Sequence, residues 1–365
     1  MNDTALVIDN GSYSCKGGFS GSESPNCIVP TVVANSLSND DCLVGTNALS
    51  VFSGYRKKYP IEKRLCVDWD SMEKVWSHIF KELNIQSQEH PIFLTESPLN
   101  PSNCRERMVE IMFEKYNVPS IFIATQAALS LFASGRTNGL VLDSGEDITH
   151  VVPIYDGSIL YYDIQRLDIG GRDITHYLMK ILTENGLPFI TTAEKEIAKD
   201  IKEKCAYITL DFENERPGPI PSIPEKKYIL PDGNEITLKT ERFRCTEALF
   251  QPHLIGLEAT SGIHEIVGNC CNKSTDITIR KELFDNILLA GGNTMFSGFS
   301  ERLKKELQAI IHPSFNINII QPPDRQYSAF IGGSIVSSLS SFNDKWTTRQ
   351  EYNEYGPSII HRNRF

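Results

Sequence analysis

Apolar and polar positions change their period repeatedly along this chain, and each change marks an element. Ala5–Ile8 is an unbroken apolar run that exits into Asp9, Asn10, Gly11 and Ser12, with "CKGGF" close behind. That pattern predicts strand, tight turn, strand over the first 35 residues. Residues 35–60 are polar and without period and read as irregular chain. "DSMEKVWSHIFKEL" then places Val75, Trp76, Ile79, Phe80 and Leu83 on one helical face. "PIFLTESP" predicts a short buried strand over Ile92–Leu94, stopped by Pro98. "CRERMVEIMFEKY" predicts a second amphipathic helix with Asn103 as N-cap, and "QAALSLFASGR" a third that closes on Gly135.

The second half repeats the theme. "GLVLDSGEDITHVVPIYDGSILYYDI" predicts a strand, an acidic glycine turn and a hairpin at "YDGS". "RDITHYLMKILTENG" predicts a helix closed by Gly186, and "TTAEKEIAKDIKEKCAYI" another capped by Thr192. "ERPGPIPSIPEKK" carries Pro217, Pro219, Pro221 and Pro224 and predicts an exposed loop. "DNILLAGGNTMFSGFSERLKKELQAI" reads as strand, Gly-Gly turn, helix. One echo sets the architecture: "LVIDNGS" at Leu6–Ser12 and "LVLDSGE" at Leu140–Glu146 share Leu-Val-x-Asp-x-Gly. Two related α/β halves, each contributing an acidic hairpin to a cleft, are expected.

Composition acts mainly by exclusion. A chain of 365 residues that is 40% hydrophobic can bury large cores, and its length suggests about two domains. The net charge of −10 argues against direct nucleic-acid or membrane-surface binding. No signal-peptide pattern and no membrane span is expected. The nine cysteines form no Cys-x-x-Cys pair and read as free thiols, and "GIHEIVGN" lacks the second histidine of a zinc helix.

Hairpins rich in Gly and Ser offer backbone N–H groups that can close around phosphate oxygens. Two such hairpins would grip a polyphosphate from both sides. Asp9 and Asp143, at matching places, would face a divalent cation carried by the phosphates; magnesium suits carboxylates that reach it through water. Lys16 would reach back from the second strand to neutralise phosphate. "LAGGNTM" supplies a third glycine turn before a helix.

The stretches "LVIDNGS", "KYPIE", "DSMEKVW", "LTESPLNP", "QAALSLFASGRTNGLVLDSG", "RDITHYLMKILTENG", "DIKEKCAYI", "ERFRCTEALFQP", "GIHE", "LAGGNTM", "YSAFIGGSI" and "GPSIIHRNRF" give the chain a resemblance to actin over nearly its whole length. The resemblance implies a two-lobed α/β ATPase fold of duplicated ribonuclease-H-like halves, with a nucleotide cleft and four subdomains. These would be 1–30, 60–133 and 328–365; a short 31–59; 134–169 with 260–327; and 170–259. It implies ATP or ADP with Mg2+ as cofactor. Gly11, Ser12, Tyr13 and Lys16 match the first phosphate loop, and Asp143, Ser144, Gly145, Glu146 and Asp147 the second. Asp9 and Asp143 match the acids that orient the metal's water shell. Gln126 and His150 match the pair that positions the hydrolytic water. Gly171, Lys202, Glu203, Gly291, Gly292, Asn293, Met295, Phe296 and Gln326 match the adenosine side. A glutamine orients water by hydrogen bonds but is a poor proton acceptor, whereas a sugar kinase needs a carboxylate base.

The departures are as informative. Tyr13 and Asp147 replace glycines of the two phosphate loops, and Gln326 replaces a lysine near the adenosine. Tyr13 is expected to strain its turn or cover the phosphate tail, and Asp147 to add negative charge near the terminal phosphate. Only Asp3 remains of the acidic N-terminal cluster. The region around Ser36–Asn47, which in the family inserts into the next filament subunit, is shortened and polar, with Leu43 and Val44 as its few anchors. Lys63 stands where actins carry a modified histidine, and Arg364 replaces the penultimate cysteine. The expected function is therefore an ATP-binding structural subunit of a larger cytoskeletal, ciliary or chromatin-associated assembly, at most a slow ATPase and a poor homopolymer. Its partners would be other actin-like subunits or complex-specific proteins, met near Phe132, Ile335 and Phe365. Its location would be the cytoplasm, in cytoskeleton or cilium, with the nucleus as a second setting. The alternative is a divergent conventional actin that polymerises and hydrolyses ATP.

Overall fold

The computed structural model describes residues 4–51, 53–215 and 225–362. The proline-rich loop expected around 216–224, and the residues Asp3, Arg364 and Phe365, lie outside the described residues. The chain forms two compact units. The first gathers everything up to Val141, then Val152–Tyr162, and Pro322 onward; the second holds Leu142–Val151 and Asp163–Gln321. In this division 134–141, 152–162 and 322–327 fall in the first unit.

The first unit is built on a six-stranded sheet. From edge to edge it runs Thr347–Thr348, Ser120–Thr125, Ile92–Glu96, Leu6–Asn10, Ser14–Phe19 and Cys27–Pro30. The three central strands are parallel, with Ile8 opposite Leu94 and Leu94 opposite Ile123. Buried on both faces, they read as continuous apolar runs rather than alternations. The helix Trp69–Glu82 covers one face, capped by Asp68, whose carboxylate accepts from Ser71 N, and it buries Met72, Val75, Trp76, Ile79 and Phe80. On the other face Gln126–Ala133 and Ser328–Ser338 pack backbone to backbone: a Cβ on Gly332 would overlap the Leu129 carbonyl.

Three local expectations need correction. Residues 35–60 are not irregular: Cys42–Val44, Val33–Ser36 and Tyr55–Lys58 form a three-stranded sheet with the short helix Thr46–Ser50. Its small core of Val32, Ala34 and Ala48, packed by Leu43, Leu49, Val51 and Tyr55, is too short to leave a readable period. Asn103 is not an N-cap. The helix Ser102–Glu110 begins after Pro101, whose fixed φ leads into the first turn, and Asn103 Oδ1 accepts from the adjacent Cys104 N. The cap of Thr192–Cys205 is Thr191, one residue earlier, because only there does Glu194 lie at the reciprocal capping-box distance.

A second six-stranded sheet has the order Ser158–Ile159, Thr149–Tyr155, Gly139–Ser144, Ile287–Ala290, Ile319–Ile320, with Gln165–Leu167 also pairing on Thr149–Val151. The unit boundaries fall inside Gly139–Ser144 and Thr149–Tyr155. In the second unit the helix Gly171–Glu184 buries Ile174, Leu178, Ile181 and Leu182, and Phe299–Ile310 buries Phe299, Leu303 and Leu307. Gly135 and Gly186 end their helices at positive φ, as expected, and Asp156–Gly157 make the hairpin turn. All nine cysteines are free, and burial pushes the Cys15 thiol up to about 11. Among the described residues no helix is long and apolar enough to cross a membrane.

Candidate nucleotide-binding half-sites

In the first unit the site grows from the exit of the strand Leu6–Asn10. Asp9 is buried, and Lys16 lies directly opposite it on the returning strand, with Nζ 3.1 Å from Oδ2. Asp9 Oδ1 accepts from Thr95 Oγ1 at 2.7 Å and from Gln126 Nε2 at 2.8 Å. Gln126 opens its helix, and Nε2 also lies 2.9 Å from the Asn10 carbonyl. Asn10 in turn takes the indole N–H of Trp76 at 3.0 Å, so the core helix steadies the turn.

That turn is tied down by Thr31, whose hydroxyl donates to Gly11 O at 2.7 Å and whose N–H donates to Tyr13 O at 2.9 Å. Gly11 is required: a Cβ would lie 2.6 Å from Ser14 O and 3.0 Å from Lys16 Nζ. Tyr13 does not strain the turn as expected, since it is not among the residues at positive φ, and its side chain is 43% exposed. The Ser12 hydroxyl is buried and has no hydrogen-bond partner. A buried hydroxyl without a partner is costly, and in a turn that leads into the strand of Lys16 it suits an anionic oxygen.

The second unit builds its loop differently. Asp143 and Ser144 end a buried strand, and Thr149 Oγ1 lies 2.7 Å from Ser144 Oγ. Thr149 gives its own hydrogen to Ile169 O at 2.9 Å, so Ser144 is the donor of that pair. Asn293 Nδ2 donates to Ser144 Oγ at 3.1 Å and to Gly145 O at 2.7 Å. The Ser144 side chain is thus used internally, and of this residue only the backbone is left to serve a ligand. Gly171 N donates to Gly145 O at 2.9 Å, and Arg172 N to Glu146 O at 2.8 Å.

Asp147 is buried, and its carboxylate lies 2.9 Å from Arg172 Nη2. The extra negative charge expected from the sequence is therefore locally compensated. Lys202 is buried and donates to Gly171 O at 2.9 Å; burial lowers its ammonium pKa, opposed by the Glu146 carboxylate. Burial raises Glu146, opposed by Lys202, Lys199 and Arg172. A Cβ on Gly171 would lie 2.8 Å from Glu146 Oε2, 3.0 Å from Asn293 Oδ1 and 3.1 Å from Lys202 Nζ, which shows how these groups converge. His150 is buried in its strand opposite Arg166.

Of the Gly291–Gly292 pair only the first is sterically demanded. Gly291 has φ +83°, and a Cβ would overlap Ser144 O and come within 2.6 Å of Asp143 Oδ1, while at Gly292 a Cβ meets nothing within 4 Å. Glu203 and Met295 are exposed and Phe296 is half-buried. Gln326 is exposed on the turn Arg325–Tyr327 and belongs to the first unit.

Two residues escaped sequence reasoning. Thr95 is the hub for Asp9, Asn10 and Gln126, and its only signal is a hydroxyl inside the apolar run "IFLTE". Arg64 donates to Gln126 Oε1 at 3.3 Å, which no local pattern announces.

Two α/β units, each with an acidic glycine turn at the exit of a buried strand, define the class of fold. The Actin family model matches residues 2–365, essentially the whole chain, and the chain belongs to the actin family. Members of this family generally bind ATP or ADP with a divalent metal and are typically cytoplasmic and cytoskeletal.

Proposed function

We propose that this chain is an ATP- or ADP-binding actin-like subunit of a larger assembly, with weak hydrolysis and poor homopolymerisation. The observation that carries nucleotide binding is the buried, unpartnered Ser12 hydroxyl in the turn that joins the strands carrying Asp9 and Lys16. Ser12, the backbone around Gly11 and Lys16 are proposed for the first phosphate loop, and the backbone of Ser144 and Gly145 for the second. Gly171, Lys202, Glu203, Gly291, Gly292, Asn293, Met295, Phe296 and Gln326 are proposed for the adenosine side. Asp9 and Asp143 would hold magnesium through its waters. Bound magnesium would supply charge neutralisation at the terminal phosphate. Gln126 and His150 would orient the attacking water, with Gln126 reaching it through its side-chain oxygen.

Weak self-association is supported by the hairpin between Val33–Ser36 and Cys42–Val44. Its expected anchors Leu43 and Val44 are half-buried and pack inward, leaving Leu37, 72% exposed, as the apolar residue at its tip. A filament contact must offset the entropy of association with well-packed buried surface, and one side chain on a five-residue tip offers little. Ile335 is exposed and Phe132 half-buried, on the paired helices Ser328–Ser338 and Gln126–Ala133, and this surface is proposed to receive a partner subunit.

Acid extraction of the purified full chain, followed by chromatography, should yield stoichiometric adenine nucleotide; a folded preparation without it overturns the reading. Sedimentation and negative-stain microscopy at raised magnesium and salt should show no long filaments. Abundant filaments at low micromolar protein would instead establish the divergent conventional actin.

A further inference from the structure

The turn joining Ile61–Glu62 to Leu65–Cys66 contains two successive non-glycine residues at positive φ, Lys63 at +47° and Arg64 at +62°. Such a turn favours Asn-Gly, and L side chains there cost backbone energy. Its geometry delivers the Arg64 guanidinium to Gln126 Oε1 at 3.3 Å. The contact defines the whole amide. A guanidinium only donates, whereas the Asp9 carboxylate and the Asn10 carbonyl only accept. The amide can therefore lie one way only, with Nε2 toward Asp9, Asn10 O and Thr95 Oγ1 and with Oε1 toward Arg64. Three acceptors share two amide hydrogens, so the second lone pair of Oε1 is what remains to meet a water.

We propose that Arg64 is a positioning residue for Gln126 that restrains hydrolysis, by occupying and polarising the one amide atom able to accept from the attacking water. The proposal rests on the nucleotide-binding reading above. In that hydrolysis the water oxygen bonds to the terminal phosphorus, the bridging P–O bond breaks with its electron pair leaving on ADP, and the two hydrogens of the water end on inorganic phosphate and on solvent. A cation on Oε1 weakens the acceptor that orients this water and disfavours loss of its proton. Arg64 also lines an open pocket with Trp69, Trp76, Asn100 and Cys104, so truncating it enlarges existing space rather than opening a new void in packed core.

The test uses the full chain as wild type, R64A, R64K, Q126A and R64A/Q126A. Nucleotide affinity is measured first, by titration with ATP and magnesium, and single-turnover phosphate release second. Expected are an affinity within twofold of wild type for R64A, release about tenfold faster in R64A, and a rate near wild type in R64K, which restores a donor and a charge. R64A/Q126A should match Q126A, because Arg64 acts only through the amide. Without nucleotide, selective 15N-glutamine labelling should show the Gln126 side-chain resonance displaced in R64A. An unchanged or slower rate in R64A, a double variant still faster than Q126A, or an unmoved amide resonance overturns the proposal. Failure of the wild type to bind ATP overturns the nucleotide reading itself and takes the restraint on hydrolysis with it.

Discussion

The two phosphate loops begin from the same Leu-Val-x-Asp-x-Gly pattern, yet the units support them by different means. In the first, Asp9 is held by side chains drawn from three other elements, Lys16, Thr95 and Gln126. In the second, the loop is held by backbone hydrogen bonds to Gly171 and Arg172, by Asn293, and by the close approach of Gly291. The serines divide accordingly: Ser12 has a buried hydroxyl with no partner, whereas Ser144 gives its hydrogen to Thr149. A side-chain clamp can be retuned by one substitution. A backbone clamp tolerates little, because shape rather than chemistry holds it.

The sharpest way to break this contrast is G291A. Overlap with Ser144 O at φ +83° should cost about 3 kcal/mol or more, read as a lowered melting temperature, while G292A should be silent. Equal effects from the two variants would remove the backbone clamp from the account. Next is T95A, which strips Asp9 and Asn10 of a fully buried partner and should cost about 2 kcal/mol, with T95S recovering most of it. A smaller effect separates the serines: S144A should lower stability by about 1 kcal/mol, whereas S12A should leave stability nearly unchanged and weaken nucleotide binding. Calorimetry on both variants reads the two quantities, and matching profiles would refute the division.

The smallest effect concerns Glu146. Burial raises its carboxyl above the ordinary 4.5, so the folded chain binds that proton more tightly than the unfolded chain. This contribution to stability is complete below 4.5 and is lost as pH rises through the folded value. E146Q should flatten the pH dependence of the melting temperature over that acidic interval; a slope identical to wild type would show that the residue does not titrate there.

The fold was legible because long elements carry strong periods. "DSMEKVWSHIFKEL" and "RDITHYLMKILTENG" announce their buried faces, and the echo of Leu6–Ser12 in Leu140–Glu146 announces a repeat. The three-stranded sheet within 33–58 was not legible, because a core of three buried residues imposes no period long enough to read. Cap positions slipped by a residue where two threonines adjoin, since only the reach back from Glu194 decides between Thr191 and Thr192.

The residue types of both loops were determined by the sequence itself: an acid leaving an apolar strand, glycines where backbone must bend or approach, a lysine on the returning strand. These follow from local chain geometry and from the cost of burying charge, and both act over a few residues. Tertiary structure alone decided that Thr95 and Gln126 share the Asp9 carboxylate, that Asp147 meets Arg172, and that Tyr13 leaves its turn relaxed. It also decided that Arg64 reaches Gln126. Hydrogen bonds form where distance and direction permit, and for groups dozens of residues apart the packing of strands and helices sets both.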